Sequence, residues 1–384
     1  MEKILHIIVS CFYVEGAGYQ ENLLPRAHKQ QGYDVTIVTK QFYFDGSGKV
    51  LKREVGSYVN QNGIKVITLK ESAHIRGLDY FKRKTSGLYS AIDSISPDIV
   101  FMHGSTEIDS LDVVRYVKSH PSVKFYVDQH GDYYNCKYTG LLGWVALNLV
   151  HRPIVRYVSE YAIKMWGTTP WRVQFLQDIY GVSPQKTDLL IMGADESKIH
   201  WEDRVVVRSN IRKKYNISDN DFLIVTGGKI NEAKNIHLLV EAVLLLNMPN
   251  VKLLLFGQPD SQMKSYFDKI SSPNILQLGW IDSLYAYDIF LSADLACFPG
   301  THSVLWEQAV ACGLPSIFKL WDGMRHVKVN ENAILLPDVS VETLTQTLKS
   351  ICSSKDVYNT MKKDACAIRN QFNYSEISKR AIGK

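Results

Sequence analysis

The chain has 384 residues, 46% of them apolar, which is too long for one ordinary domain and enough to give two α/β domains a core each. Its net charge of +5 is mild, and no basic run is dense enough for nucleic acid, so an anionic small molecule or an anionic membrane surface suits it better. Six cysteines at 11, 136, 297, 312, 352 and 366 have no paired spacing, which excludes the usual zinc patterns, argues against a disulfide scaffold and favours a reduced, cytoplasmic setting.

In chain order, ILHIIVS (4–10) reads as a strand that begins almost at once and leaves no room for a secretory signal. A glycine turn at Gly16 and Gly18 follows, then a helix over 19–31 that Gly32 stops, then the strand DVTIVT (34–39). GIKVITL (63–69), DIVFMHG (98–104) and KFYVDQHG (124–131) are further strands with helical patterns between them. LLGWVALNLV (141–150) is the most apolar run, half the length a membrane span needs, and His151 and Arg152 follow it. A second series opens with FLIVTGGK (222–229) and continues through VKLLLFG, NILQLGW, DLACFPG, PSIFK and AILLP. Strands alternating with helices predict parallel, doubly wound sheets, divided near residue 200.

In such sheets ligands bind beyond the carboxyl ends of the strands. That rule singles out Lys229 and Lys234, which flank a strand-to-helix junction where Asn235 suits an N-cap. Two ammonium groups beside a helix N-terminus suit a diphosphate; two solvated lysines on a loop are the plain alternative. The rule also marks Gly300, Thr301, His302 and Ser303. Gly300 would let backbone approach a ligand, Ser303 reads as an N-cap, and Glu307 falls early in a helix that Gly313 ends, where it could chelate a ribose diol or simply complement the helix dipole. In the first half the rule marks Gly16, Gly18, His103 and His130. Asp128, His130 and Asp132 alternate at a strand end, but a sugar-contacting or structural histidine suits that pattern better than a metal site. GAGYQE lacks the third glycine of a dinucleotide fingerprint and no acid ends the second strand, which argues against an NAD enzyme.

Taken together, Lys229…Lys234 and Glu307, Ala309, Ala311, Gly313, Pro315 resemble the retaining, GT-B-fold family 4 ("group 1") glycosyltransferases found in bacterial surface-polysaccharide biosynthesis. Lysine stands for that family's arginine, Asn235 for its glycine, and MGAD (192–195) resembles the turn closing its first domain. The resemblance implies two Rossmann-like domains whose parallel sheets face a central cleft: an acceptor-side domain over 1–200, a nucleotide-sugar domain over 201–368, and a C-terminal helix (369–384) packing back on the first. It further implies a cytoplasmic enzyme that takes a nucleoside-diphosphate-sugar, UDP favoured, without metal or other cofactor. Gly16, Gly18, Lys229, Lys234, Gly300, Thr301, Ser303 and Glu307 would bind the donor, with His130, Glu307 and His302 at the reacting sugar. Counting back from Glu307, the family's first glutamate falls on Pro299, so His302 and Ser303 are the candidates to replace it. Rivals are a GT-B epimerase or phosphorylase, or a nucleotide-binding partner without turnover. Arg76, Trp144 and Arg152, with Lys82, Arg83, Arg156 and Lys164, could form an apolar, basic face toward an anionic inner membrane surface and a glycan or polyprenyl-linked acceptor. A buried helix with basic flanks is the alternative for 141–150.

Overall fold

The computed structural model of the protein describes residues 1–44, 49–71, 84–136, 138–321 and 323–384. The chain divides into two compact units, Met1–Ile191 with Tyr374–Lys384, and Met192–Asn373. The first crossover thus precedes the expected one near residue 200, and the return falls at Tyr374. Both crossovers are adjacent, because Ala194 bridges to Asn373 and donates its N–H to the Phe372 carbonyl at 2.8 Å.

The first unit holds an eight-stranded sheet. From one edge its strands are Thr187–Leu189, Lys164–Gly167, Lys124–Gln129, Ile99–His103, Lys3–Ile8, Asp34–Lys40, Lys65–Leu69 and Gly56–Val59. All pairings are parallel except the last, where Gly56–Val59 runs antiparallel as an edge. The central strands read as near-continuous apolar runs because helices cover both faces; Ile4, Leu5, Ile7 and Ile8 are all 0% exposed. Strand order reverses between Lys3–Ile8 and Ile99–His103, which pair with Ile4 opposite Ile99. The C-terminal helix Tyr374–Ala381 completes one of this unit's cores: Tyr374, Ile377, Ala381 and Ile382 pack with Leu23, Leu24, Phe101 and Trp166.

The second unit has a wholly parallel six-stranded sheet, in the order Ile275–Gln277, Val251–Phe256, Phe222–Gly227, Leu295–Phe298, Ser316–Lys319, Ala333–Leu336. Here the order reverses between Phe222–Gly227 and Leu295–Phe298. The helix Ile236–Leu246 buries Leu239, Val240, Ala242 and Val243 against this sheet. Among the described residues no helix is long and apolar enough to cross a membrane.

Candidate active site

Each sheet opens a crevice where its strand order reverses, because the helices on either side of that point lie on opposite faces. In the second unit the strand Leu295–Phe298 ends in a loop, Pro299–Ser303, whose carbonyls are held one after another. Asn235 Nδ2 donates to Pro299 O at 3.0 Å and Trp321 Nε1 to Gly300 O at 3.0 Å. Lys234 Nζ donates to Thr301 O at 2.6 Å and to His302 O at 3.1 Å. The Thr301 amide donates to Ala233 O at 3.0 Å, whereas those of His302 and Ser303 meet no protein acceptor among the described residues. Two adjacent free amides at a strand end are donors that an anion could engage.

The expected donor residues therefore divide. Gly300, Thr301, Ser303 and Lys234 come together around this crevice, which encloses only about 10 Å³, so an anion would lie over the loop. Lys234 holds the loop, and burial lowers its pKa to about 8. Lys229 is exposed and carries no partner among the described residues. Its turn adjoins the start of the helix Leu305–Ala311 that follows the loop, since a Cβ on Gly228 would meet Leu305 Cδ1 at 3.0 Å. Gly300 is required for packing: a Cβ there would collide with the Lys234 backbone. Neither expected cap forms. Asn235 is left-handed at φ 52° with its amide on Pro299, and the helix Leu305–Ala311 begins after Val304 with no side-chain cap.

Glu307 turns inward. It is 0% exposed, and its Oε1 accepts from His302 Nε2 at 2.8 Å and His326 Nε2 at 2.7 Å. Burial alone would raise its carboxyl pKa, but the two imidazoles hold it well below the usual carboxylate range. A carboxylate so enclosed does not present itself to a ribose in this conformation. Trp306 behind it stacks on Phe318 with ring centroids 4.6 Å apart. His326 was not among the expected site residues; it comes from a separate turn, 19 residues from Glu307.

The first unit carries a cavity of about 250 Å³ at its own reversal point. Ser10, His103, Gln129, His130, Tyr138 and Tyr180 are among its lining residues, and none of the described residues that line it is a lysine, arginine or carboxylate. Tyr138 Oη bonds both His151 Nδ1 at 2.9 Å and Tyr180 Oη at 2.8 Å. His130 stands 3.6 Å from Asp128 Oδ2 and 4.0 Å from Glu21. Burial would lower its pKa, but Asp128 and then Glu21 outweigh that and raise it. Asp132 accepts from Arg172 Nε at 3.1 Å and from the Tyr134 and Asn135 amides, so it is engaged in holding its own turn. Gly16 and Gly18 lie on an exposed turn, and only Gly16, at φ 78°, needs a glycine conformation.

Beneath the cavity runs a buried chain that residue spacing does not reveal. Ser378 O accepts from His28 Nε2 at 2.9 Å; His28 Nδ1 meets His6 Nε2 at 3.0 Å; His6 Nδ1 meets His103 Nε2 at 3.0 Å; and His103 Nδ1 meets Asp128 Oδ2 at 2.9 Å. All four side chains are 0% exposed. Four hydrogen bonds need four protons and three neutral imidazoles supply three, so the full chain forms only with one further proton among its members. The isolated histidine in ILHIIVS was the one local signal of this chain.

Of the acceptor-side residues, Arg76 lies outside the described residues, as do Lys82, Arg83 and Asp322. Trp144 is exposed, together with Leu141, Leu142 and Leu149. Arg152 is turned onto its own unit, donating to Ile179 O at 2.7 Å and Asn148 Oδ1 at 2.8 Å.

Residues 207–367 match the family "Glycosyl transferases group 1". The second unit is a group 1 glycosyltransferase domain. The chain is accordingly a glycosyltransferase, and its fold is GT-B. It is similar to a glycosyltransferase from Rickettsia africae ESF-5 at 14% identity and a TM-score of 0.67, over 100% of this chain and 99% of that one. Anabaena Alr3699/HepE in complex with UDP is similar at 15% identity and a TM-score of 0.68, over 98% of each chain. WaaG, a glycosyltransferase involved in lipopolysaccharide biosynthesis, is similar at 16% identity and a TM-score of 0.58, over 99% of this chain and 98% of that one. No curated protein matches in sequence.

Proposed function

We propose that this glycosyltransferase transfers a sugar, with retention, from a nucleoside-diphosphate-sugar to a glycan or lipid-linked glycan. The observation that carries the reading is the Pro299–Ser303 loop: its carbonyls are tied down, and the His302 and Ser303 amides remain open beside the free Lys229. A leaving diphosphate gathers charge as its bond to the sugar breaks, and amides and an ammonium already in place stabilise that charge without reorganising. Thr301 and Ser303 hydroxyls add donors at the same loop. UDP is the favoured nucleotide, supported by the UDP complex of the similar Anabaena protein. Glu307 acts by holding His302, and through it the loop, rather than by touching the ribose.

The first unit's cavity is the acceptor side of the reading. Its hydroxyls, amides and imidazoles suit a neutral, hydroxyl-rich sugar ring, and Asp128 and Glu21 favour a positive charge on His130 there. The exposed Leu141, Leu142, Trp144 and Leu149 lie on the helical stretch between Tyr138 and His151, both cavity residues, and support an acceptor carried by a lipid.

Thermal shift of the purified protein with UDP, GDP and ADP tests the donor side. Ligand at 100 times its Kd adds about 2.7 kcal/mol of stability. Stabilisation by UDP that disappears in Gly300→Ala, whose added methyl displaces the loop from Lys234, supports the reading. If no nucleotide stabilises the wild type, the reading fails.

A further inference from the structure

The second unit holds a cavity of about 240 Å³ at the end of its sheet away from the Pro299–Ser303 loop. Ala293 and Asp294 line it just before the strand Leu295–Phe298, and that loop follows the strand's other end. Two helices supply further walls, Arg204–Lys214 through Val205 and Arg208, and Lys355–Ile368 through Tyr358 and Lys362. All of these residues belong to one compact unit.

The interior is apolar. Phe290, Leu291 and Leu314 are buried there, beside Pro315 and the half-buried Tyr358. Trp201 adds an aromatic wall that is held in place. The Arg369 guanidinium lies 3.9 Å from its ring centroid and that of Arg204 4.7 Å, and a Cβ on Gly313 would meet Trp201 Cη2 at 3.0 Å.

Charge in the lining is one-sided. Helical spacing sets Arg204, Arg208 and Arg212 on one face of their helix. The two deeper ones share Asp294, Arg208 Nη2 at 2.7 Å from Oδ1 and Arg212 Nη2 at 2.6 Å from Oδ2. Asp294 is the sole carboxylate among the described residues that line the cavity, and it also accepts the Leu223 N–H at 2.8 Å. Arg204 and Lys362 line the cavity too, exposed to solvent and with no acidic partner among the described residues.

We infer that this cavity binds a small anion with an apolar body, an aryl or alkyl carboxylate or phosphate. The body lies against Phe290, Leu291 and Leu314, and the acid head meets Arg204 and Lys362. Apolar and aromatic walls with a few converging polar groups are the usual make-up of a small-ligand pocket. Burying the body removes apolar surface from water, and charge-assisted hydrogen bonds to the head engage two cations that have no acid of their own. An apolar cavity of about 150 Å³ holds a benzene, so this one suits roughly ten to twelve non-hydrogen atoms, far fewer than a nucleoside diphosphate has. The site does not rest on the transfer reading.

The test uses the full chain, untagged, titrated with 3-phenylpropionate and with phenyl phosphate by saturation-transfer NMR. 3-Phenylpropanol, acetate and inorganic phosphate are then added as competitors. Both aryl acids are expected to bind, and each competitor, lacking either the charge or the apolar body, to act at least tenfold more weakly. The tighter of the two acids names the head group, and both results support the site. Arg204→Gln combined with Lys362→Gln alters two exposed side chains, with folding confirmed by circular dichroism, and should weaken both acids at least tenfold. Lys229→Ala, near the donor loop, should bind them as wild type does. The site is overturned if neither acid binds, or if the alcohol, acetate or inorganic phosphate competes as well as the acids. Unchanged affinity in the double variant overturns it as well, and so does an equal loss in Lys229→Ala, which would place the binding at the donor loop.

Discussion

Lys234 donates its ammonium to two loop carbonyls and is partly buried, while Lys229, five positions earlier in sequence, is exposed and free of partners among the described residues. Their substitution should therefore separate stability from binding. Lys234→Ala leaves the part-buried Thr301 O and His302 O without their donor, a loss that costs at most about 1–3 kcal/mol, the penalty for a fully buried acceptor; its thermal midpoint should fall and nucleotide binding with it. Lys229→Ala removes a charge facing an anion, worth about 1.5–3 kcal/mol for a charge-assisted hydrogen bond. Nucleotide affinity should drop at least tenfold while the midpoint moves little. Calorimetric unfolding with and without UDP reads both quantities. Equal loss of stability in both variants would defeat this division of roles.

Elements that position the site owe much to side chains distant in sequence. The buried histidine chain, with Asp128 at its end, joins three strands of the first unit to its first helix and to the C-terminal helix Tyr374–Ala381, which supplies the Ser378 carbonyl. Burial keeps His28 neutral and lowers its pKa to about 4. The folded state therefore binds fewer protons than the unfolded chain between about pH 4 and the ordinary histidine value near 6.5, so stability is lost as pH falls through that window. One such histidine accounts for roughly 3 kcal/mol over the window at 1.36 kcal/mol per unit. His28→Gln can still donate to Ser378 O and accept from His6, so urea unfolding should show a shallower decline from pH 6.5 to 4. An identical decline would mean that other groups govern acid sensitivity. Alternation of apolar strands with helical periods was enough to locate the central strands, such as Phe222–Gly227 against the expected 222–229. The antiparallel edge Gly56–Val59 and the short strand Lys164–Gly167 escaped that pattern because neither forms a long apolar run. Of the site, the strand-end rule found Lys229, the Gly300–Ser303 loop, His103 and His130, since topology alone places them. It could not show that Glu307 faces inward or that His326 meets it, because a helix periodicity does not say which loop residue will cover a given face. Caps failed for a related reason: Asn235 has a tertiary acceptor at Pro299, which outcompetes a local turn.

At the scale of the whole chain, each unit places its candidate groups where its own sheet reverses strand order, and the first unit adds an exposed apolar stretch next in sequence to its cavity residues. Leu141 is 78%, Leu142 67%, Trp144 56% and Leu149 64% exposed. Monomeric proteins rarely leave so many large apolar side chains open along one short helical segment unless a surface covers them. With Arg152 held by Ile179 O and Asn148, apolar insertion would be the stronger attraction to the membrane surface proposed above, and charge the weaker. Full burial of one such side chain contributes about 1.5–3 kcal/mol, whereas a lysine or arginine near an anionic surface adds about 1 kcal/mol. Leu142→Glu combined with Trp144→Glu should therefore lower partitioning onto phosphatidylglycerol vesicles by at least tenfold in co-sedimentation. Raising salt should weaken wild-type binding much less than the double substitution does. UDP-dependent thermal stabilisation, which the proposed function assigns to the other unit, should survive unchanged in that variant. Vesicle binding that disappears with salt but withstands both substitutions would assign the attraction to basic side chains and remove the apolar stretch from the acceptor side of the reaction.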